Sequence, residues 1–291
     1  MRIIILGKGY TGSKLKECLS TCYDVDNISR CEVDYTNRVE LFSYLTSFGE
    51  LPGVVINACG YTGRPNVDAC ELDKEETWKY NVVVPVNIQK VCKDLKIPMI
   101  HISSGCIYDG YDKDYTEEDE PNFGLMNAES SWYSKTKHAC EMMLKDRPVY
   151  IFRIRMPFCA TTSQRNVLMK LLKYDNVIDM NNSMTCLEDL CGFILYFLSD
   201  MFDTGASHAY GVYNVVNPQP ASTGQIIEMM KSHGIENKRW RSIKLDELYE
   251  MTTAKRSNCV LSDDKITSIG LKLPRTIDSL NRCLRSIKSA I

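Results

Sequence analysis

The sequence has no long apolar run, and nothing in its 291 residues is long enough to span a bilayer. The opening run Ile3–Leu6 is interrupted at once by Gly7 and Gly9, which also makes a poor secretory signal. An excess of one charge is missing too. Lys+Arg 35 against Asp+Glu 37 leaves a net charge of -2, so we expect neither nucleic acid nor an anionic membrane as partner. Histidines number only four and lie far apart, and there is no HExxH and no pair of CxxC units, so no metal is expected. Cysteine, by contrast, is abundant. Thirteen thiols, an odd number scattered from Cys18 to Cys283, read as reduced side chains in a cytoplasmic compartment. Cys18 and Cys22, one helical turn apart, read as small core hydrophobes.

A hydrophobic content of 44% with 25% charged residues is that of an ordinary globular chain, long enough for one large domain or two modest ones. Ile3–Leu6 is a short β-branched run of the kind buried on both faces in a parallel sheet. A helix is expected from about Gly12 to Cys22. Further strand-like runs stand at Val54–Ile56, Pro98–Ile102 and Val149–Ile154, separated by helical patterns such as Glu75–Leu95 and Ser134–Leu144. This alternation predicts an α/β fold, a Rossmann-type doubly wound parallel sheet. Beyond Pro157 come polar loops at Thr161–Asn166 and Asn181–Thr185, a helix near Leu187–Leu198, a strand-like run at Val212–Val216, and then shorter helices with no clear strand order. We therefore expect a dinucleotide-binding domain over residues 1–158 plus about 184–216, and a smaller C-terminal domain from about 159–183 plus 217–291.

Gly7-Lys8-Gly9-Tyr10-Thr11-Gly12 fits GxGxxG directly after a strand and at the opening of a helix. Glycines allow the turn and the approach of a pyrophosphate, and the helix N-terminus offers free N–H groups. Gly7, Gly9, Tyr10, Thr11 and Gly12 are the expected cofactor contacts, with Ala58 and Tyr61 after the third strand. At the end of the second strand an acidic residue would suit the ribose of NAD and an arginine the 2′-phosphate of NADP. The segment here is Asn27-Ile28-Ser29-Arg30, with Asp34 a little further on, which favours NADP(H) over NAD(H).

Tyr133-Ser134-Lys135-Thr136-Lys137 contains YxxxK, which places Tyr133 and Lys137 on one helix face. Ser103-Ser104 stands about thirty residues earlier at a strand end, where a parallel sheet opens its ligand crevice. A phenol is a poor proton donor or acceptor near neutral pH, and the ammonium of Lys137 would stabilise its anion. At this point the chain resembles the extended short-chain dehydrogenase/reductases, with Ser104, Tyr133 and Lys137 on their triad. That resemblance implies that Tyr133 protonates a carbonyl oxygen, Lys137 holds the nicotinamide ribose and Ser104 positions the substrate.

Cys106, two residues after Ser104, should point into the same crevice if the chain stays extended. The run Ser103-Ser104-Gly105-Cys106-Ile107-Tyr108 is similar to one in GDP-fucose synthase-like epimerase/reductases, where the cysteine works in epimerisation. Over nearly its whole length the chain resembles the bifunctional UDP-4-keto-6-deoxyglucose 3,5-epimerase/4-reductases of UDP-L-rhamnose synthesis. The shared runs include Thr62-Gly63-Arg64-Pro65-Asn66-Val67-Asp68, Arg153-Ile154-Arg155-Met156-Pro157, Arg165-Asn166, Asn182-Ser183-Met184-Thr185 and Tyr213-Asn214-Val215-Val216-Asn217-Pro218. The resemblance implies a UDP-sugar substrate, a nucleotide-sugar-binding role for the smaller domain, and commonly a homodimer.

Inverting a carbon next to a ketone needs a group on each face. Cys106 is the candidate for one. The fucose-type enzymes use a histidine for the other, but this sequence has none between His138 and His208, which leaves Lys170, with Lys173 as the runner-up. Substrate contacts are expected from Arg64, Asn66, Ser104, Arg165, Asn166 and Arg256, since arginine forks suit a diphosphate. A 4-reductase without epimerase activity, like dTDP-4-dehydrorhamnose reductase, is the alternative, and it would have no need of a thiol at Cys106.

Overall fold

From Ile3 onward every residue of the first strand, Arg2–Leu6, is buried, so both of its faces lie against protein. Its neighbours complete a six-stranded sheet in the order Asp24–Ile28, Arg2–Leu6, Val54–Asn57, Met99–Ser104, Tyr150–Ile154 and Gly211–Asn214. All five pairings are parallel. The computed structural model describes residues 1–205, 208–235 and 238–290. The expected doubly wound sheet is therefore present, and the pleat sorts its side chains. Ile3, Ile5, Val54, Ile56, Ile100 and Phe152 join one core with the helices Tyr10–Leu19 and Leu187–Ser199. Ile4, Leu6, Val55, Met99 and Ile151 join the other with Arg38–Leu45, Val84–Leu95 and Trp132–Leu144. Strand order reverses between Arg2–Leu6 and Val54–Asn57, and the crevice beyond their carboxyl ends is where such sheets bind ligands.

A smaller core gathers Phe158, Leu168, Met184, Ile226, Met230, Leu280, Leu284 and Ile287 from the later part of the chain. Three elements differ from the sequence expectation. The helix expected over Glu75–Leu95 is broken into Lys74–Trp78, a wider π-type turn Lys79–Val83, and Val84–Leu95. Pro85 has no N–H for the regular ladder, which accounts for the widened turn before it. The segment Asn181–Thr185, expected as a loop, contains a strand, Asn181–Met184, that pairs antiparallel with Asn217–Ser222. Cys259–Leu261, in a stretch that showed no strand pattern, pairs parallel with Gly110–Tyr115. Short strands paired with distant partners carry too little periodicity to be seen locally. The expected division at residue 217 is also crossed, because Ile266 and Leu273 pack into the core of the main sheet. Among the described residues no helix is long and apolar enough to cross a membrane.

Candidate active site

The turn after the first strand is shaped by close approach. Gly7 has φ +111, and a Cβ there would lie 2.8 Å from the backbone nitrogen of Cys59. A Cβ on Gly12 would lie 1.9 Å from the Gly7 carbonyl oxygen and 3.4 Å from the Ala58 side chain. These two glycines let the turn fold onto the third-strand loop. Gly9 is different, since nothing lies within 4 Å of a Cβ built there. It caps the Tyr10–Leu19 helix without a side-chain acceptor, so the first N–H groups face open space. That is the cradle a dinucleotide pyrophosphate needs, and the residues fit the group. Tyr10 and Thr11 lie in the first turn, and the Tyr10 hydroxyl turns inward to Cys159 Sγ at 3.2 Å. Tyr10 therefore serves packing more than ligand contact.

At the other end of the crevice, Gly7 N–H donates to the Ile28 carbonyl at 2.8 Å, which brings Ser29 and Arg30 beside the turn. Arg30 is exposed, with its guanidinium 4.7 Å from the Tyr80 ring centroid. Sequence reasoning missed Glu32, whose carboxylate accepts from Lys8 at 2.6 Å and from Ser29 Oγ at 2.6 Å. Lys8, followed by Ser29, holds that carboxyl low, at about 2. Asp34 does not reach toward the turn with its carboxylate, which is taken up locally by Thr36 N–H at 3.0 Å and Thr36 Oγ1 at 2.6 Å. Tyr61 is held by its backbone, N–H to Asn81 Oδ1 at 2.7 Å, while its phenol donates to Asp73 at 3.1 Å.

Ser104 ends the fourth strand, and the helix carrying Tyr133 and Lys137 begins at Ser131, whose side chain accepts from Ser134 N–H at 3.2 Å. Ser104 and Tyr133 are in contact, and Lys137 lies on the same helix as Tyr133, one turn further on. Tyr133 is partly buried, which pushes its phenol up, and a hydrogen bond with Ser104 works against that shift. Lys137 is buried with its ammonium 3.5 Å from the Ile102 carbonyl. The chain bends at Gly105, so it does not stay extended as far as Cys106. The Cys106 backbone N–H lies 3.3 Å from Ser104 Oγ, and its thiol has Ser104 and Ser134 as hydrogen-bonding neighbours. Burial pushes the Cys106 thiol up, while Ser104, Ser134, Lys137 and Arg155 oppose it.

Several supporting residues had no local signature. Asn81 donates to the Tyr61 carbonyl at 2.9 Å and to Thr136 Oγ1 at 3.1 Å, joining the loop after the third strand to the Tyr133 helix. His101 is fully buried, and its Nδ1 lies 3.0 Å from Asn57 Nδ2. Asn57 Oδ1 accepts from Cys59 N–H at 3.1 Å, which fixes the amide, makes Nδ1 an acceptor and puts the imidazole proton on Nε2. Burial, then the charge of Lys137, holds His101 well below its ordinary value. Arg153 donates to Glu141 at 3.2, 3.0 and 2.7 Å, and Ser103 Oγ donates to the same carboxylate at 2.6 Å. This buried pair locks the strand end carrying Ser104 to the helix carrying Lys137.

The expected substrate residues do not all offer their side chains. Gly63 turns at φ +68 where a Cβ would meet the Asn66 carbonyl oxygen at 2.2 Å. Arg64 follows, exposed. Arg165 reaches across to Thr62 Oγ1 at 3.1 Å and the Gly63 carbonyl at 3.0 Å. Arg256 forms a two-pronged pair with Asp68 at 3.0 Å on each prong, and Ala254 N–H donates to Asp68 at 2.9 Å. Lys170 is half-buried near both arginines, and burial, followed by the charges of Arg165 and Arg256, lowers its ammonium. Lys173 is exposed and pairs with Gln164. Asn66 Oδ1 accepts from Asp68 N–H at 2.8 Å as a local turn. Asn166 is a correction to the expected set. It is fully buried, donates to the carbonyls of Cys159 at 2.8 Å and Thr161 at 2.7 Å, and caps Val167–Leu171 through Leu168 N–H at 3.2 Å. Its amide is consumed in shaping the loop that presents Arg165.

The family described as RmlD substrate binding domain matches residues 1–289. Among curated proteins, a bifunctional dTDP-4-dehydrorhamnose 3,5-epimerase/dTDP-4-dehydrorhamnose reductase from Arabidopsis thaliana is 35% identical over 225 residues, 74% of this chain and 70% of the relative. The crystal structure of the L780 UDP-rhamnose synthase from Acanthamoeba polyphaga mimivirus has TM-score 0.85 at 24% identity, covering 98% of this chain and 99% of that one. A dTDP-4-dehydrorhamnose reductase from Bacillus anthracis str. Ames in complex with NADP has TM-score 0.80 at 19% identity, covering 100% and 99%. At these identities the two structures show a shared fold.

Proposed function

The chain belongs to the RmlD substrate-binding domain family, and from that premise we propose that it converts UDP-4-keto-6-deoxy-D-glucose to UDP-L-rhamnose. In this reading it inverts C3 and C5 and then reduces C4 with NADPH. The observation that carries the reading is the Cys106 thiol in the company of Ser104, Tyr133 and Lys137. A reductase alone has no use for an acid–base group there.

The protons at C3 and C5 flank the C4 ketone, so removing either one yields an enolate whose oxygen needs donors. Ser104 and Tyr133 supply them. Lys170 stands on Val167–Leu171, a helix of the smaller core, and Cys106 just past the end of the fourth strand; in this reading they serve opposite faces of the sugar ring. The lowered ammonium of Lys170 suits it to take a proton, and the raised thiol of Cys106 suits it to give one. Arg64 and Arg165 offer guanidinium groups for the diphosphate, while Arg256, whose fork is engaged by Asp68, contributes positive charge nearby.

NADPH would lie on the open face of Gly9, with Arg30 toward its 2′-phosphate, and would supply the hydride for C4. Tyr133 would deliver the proton to the C4 oxygen, and the buried ammonium of Lys137 would favour its phenolate afterwards.

Incubation with UDP-4-keto-6-deoxyglucose in deuterated water, followed by NMR, tests both halves. Deuterium at C3 and C5 without NADPH, and UDP-L-rhamnose with it, is the expected result. Reduction to an unepimerised 6-deoxy sugar without deuterium uptake would leave a plain 4-reductase and refute the roles of Cys106 and Lys170.

A further inference from the structure

Outside the crevice, the fold brings a cysteine of the last helix to a Cys-x-Glu pair that the sequence holds almost a hundred residues away. Cys186 is the N-cap of Leu187–Ser199, Glu188 lies in the first turn of that helix, and Cys283 sits on the last helix, Thr276–Ala290. The two sulfurs are 3.8 Å apart. Glu188 Oε2 lies 3.2 Å from Cys186 Sγ and 3.9 Å from Cys283 Sγ. Both cysteines are fully buried, and all three donor atoms fall within 4.8 Å of one another. We propose that Cys186, Glu188 and Cys283 form a structural site for one thiophilic divalent cation, zinc being the reference ion, with water in the fourth position.

The argument is metric first. Zn–S bonds of about 2.3 Å and Zn–O bonds of about 2.1 Å at tetrahedral angles place the two sulfurs about 3.8 Å apart and each sulfur about 3.6 Å from the oxygen. The observed triangle of 3.8, 3.2 and 3.9 Å is one face of that tetrahedron with little adjustment. The carboxylate is also aimed. Glu188 Oε1 is occupied by Ala160 N–H at 3.1 Å and by the Lys14 ammonium at 3.2 Å, which turns Oε2 toward the thiols. Two thiols packed only as small hydrophobes would need no carboxylate oxygen between them.

Charge is nearly balanced as well. Two thiolates, Glu188 and the neighbouring Asp189 carry four negative charges against a dication, Lys14 and Arg282, with Lys14 shared with the exposed carboxylate of Glu17 at 3.0 Å. Arg282 lies 3.5 Å from Cys186 Sγ and 2.5 Å from Asp189, where it can support a metal-bound thiolate. Binding the ion releases the two thiol protons to solvent and transfers no electrons, so affinity should rise with pH. Glu188 is partly exposed and gives the ion its way in. Once bound, the ion would fasten the last helix to the helix that packs on Tyr10–Leu19.

Cobalt is the probe. The full-length protein, reduced and stripped with chelator, is titrated anaerobically with Co²⁺. One equivalent should produce a sulfur-to-cobalt charge-transfer band and the visible bands of a tetrahedral site, and zinc should displace them. Cys186→Ala and Cys283→Ala should abolish the signal, Glu188→Gln should weaken affinity by at least about tenfold, and Cys22→Ser should leave it intact. Absence of the bands, or their persistence in both cysteine variants, overturns the proposal, as does a Cys186–Cys283 disulfide in the protein purified without reductant. Because removing a buried thiol can unfold the lobe, zinc-edge X-ray absorption of the wild-type chain gives a separate reading. Two sulfurs with oxygen neighbours support the site, and a shell with no sulfur or four sulfurs overturns it.

Discussion

Replacing Glu141 with alanine should destabilise this protein far more than an ordinary surface change. Arg153 is 3% exposed and Glu141 is 7% exposed, so water cannot take over when the carboxylate is gone. Arg153 loses three hydrogen bonds and keeps one, to the Tyr108 hydroxyl at 3.0 Å, while Ser103 Oγ loses its acceptor. An uncompensated buried cation costs roughly 3–5 kcal/mol and an orphaned hydroxyl about 1 kcal/mol more. The total, about 5 kcal/mol, corresponds to a fall in Tm on the order of 10 °C for a chain of this size. The double variant Glu141→Leu with Arg153→Met removes both charges together. Tyr108 still donates to the Asp119 carbonyl at 2.7 Å, so it is not orphaned, and the double variant should recover to within about 2 kcal/mol of wild type. Thermal and urea unfolding of the single and double variants would measure the difference. A single-variant loss below about 1 kcal/mol, or a double variant no better than Glu141→Ala, would refute the reasoning.

The remaining predictions separate binding, chemistry and folding. Tyr133→Phe should lower the rate of C4 reduction by roughly 10²–10⁴-fold while NADPH affinity, read by fluorescence titration, stays near wild type; substantial residual turnover would show that another group supplies the proton. Gly9→Ala should leave the unfolding midpoint unchanged, because its Cβ meets nothing within 4 Å, yet should weaken NADPH binding by about tenfold or more. Gly12→Ala should damage both, since its Cβ would sit 1.9 Å from the Gly7 carbonyl oxygen. His101 stays neutral in the fold well below its ordinary value of 6.5, so as pH drops below 6.5 the unfolded chain takes up a proton that the folded chain refuses. Stability should therefore fall with decreasing pH by up to about 1.4 kcal/mol per unit from this group, and His101→Gln should flatten that slope in urea titrations.

The parallel sheet was legible because its central strands are short, largely apolar runs, as Ile3–Leu6 and Val54–Ile56 are, although the run Val149–Ile154 carries the charged Arg153. The turn Gly7–Gly12 at the opening of a helix, and the placing of Tyr133 and Lys137 on one helix, were equally legible, since both depend on fixed local spacing. Cys106 lies close to Ser104, but the chain between them bends at Gly105 and does not run extended as expected. Asn166 was misread because its neighbour Arg165 and the surrounding run suggested a ligand contact, and nothing local reveals that its amide is consumed by Cys159, Thr161 and Leu168.

Sequence alone thus decides the alternation of strand and helix, the glycine turn at Gly7–Gly12 and the shared helix of Tyr133 and Lys137, all of which rest on periodicity or on residues within about one helical turn. The folded chain decides the rest: that Arg153 and Ser103 converge on Glu141, that Arg256 meets Asp68, and that Cys186, Glu188 and Cys283 share a corner. Partners separated by a dozen to nearly two hundred residues become neighbours only when the sheet and the smaller core close. A buried charge or thiol takes its properties from those neighbours, through lost hydration and nearby charge, and not from its place along the chain.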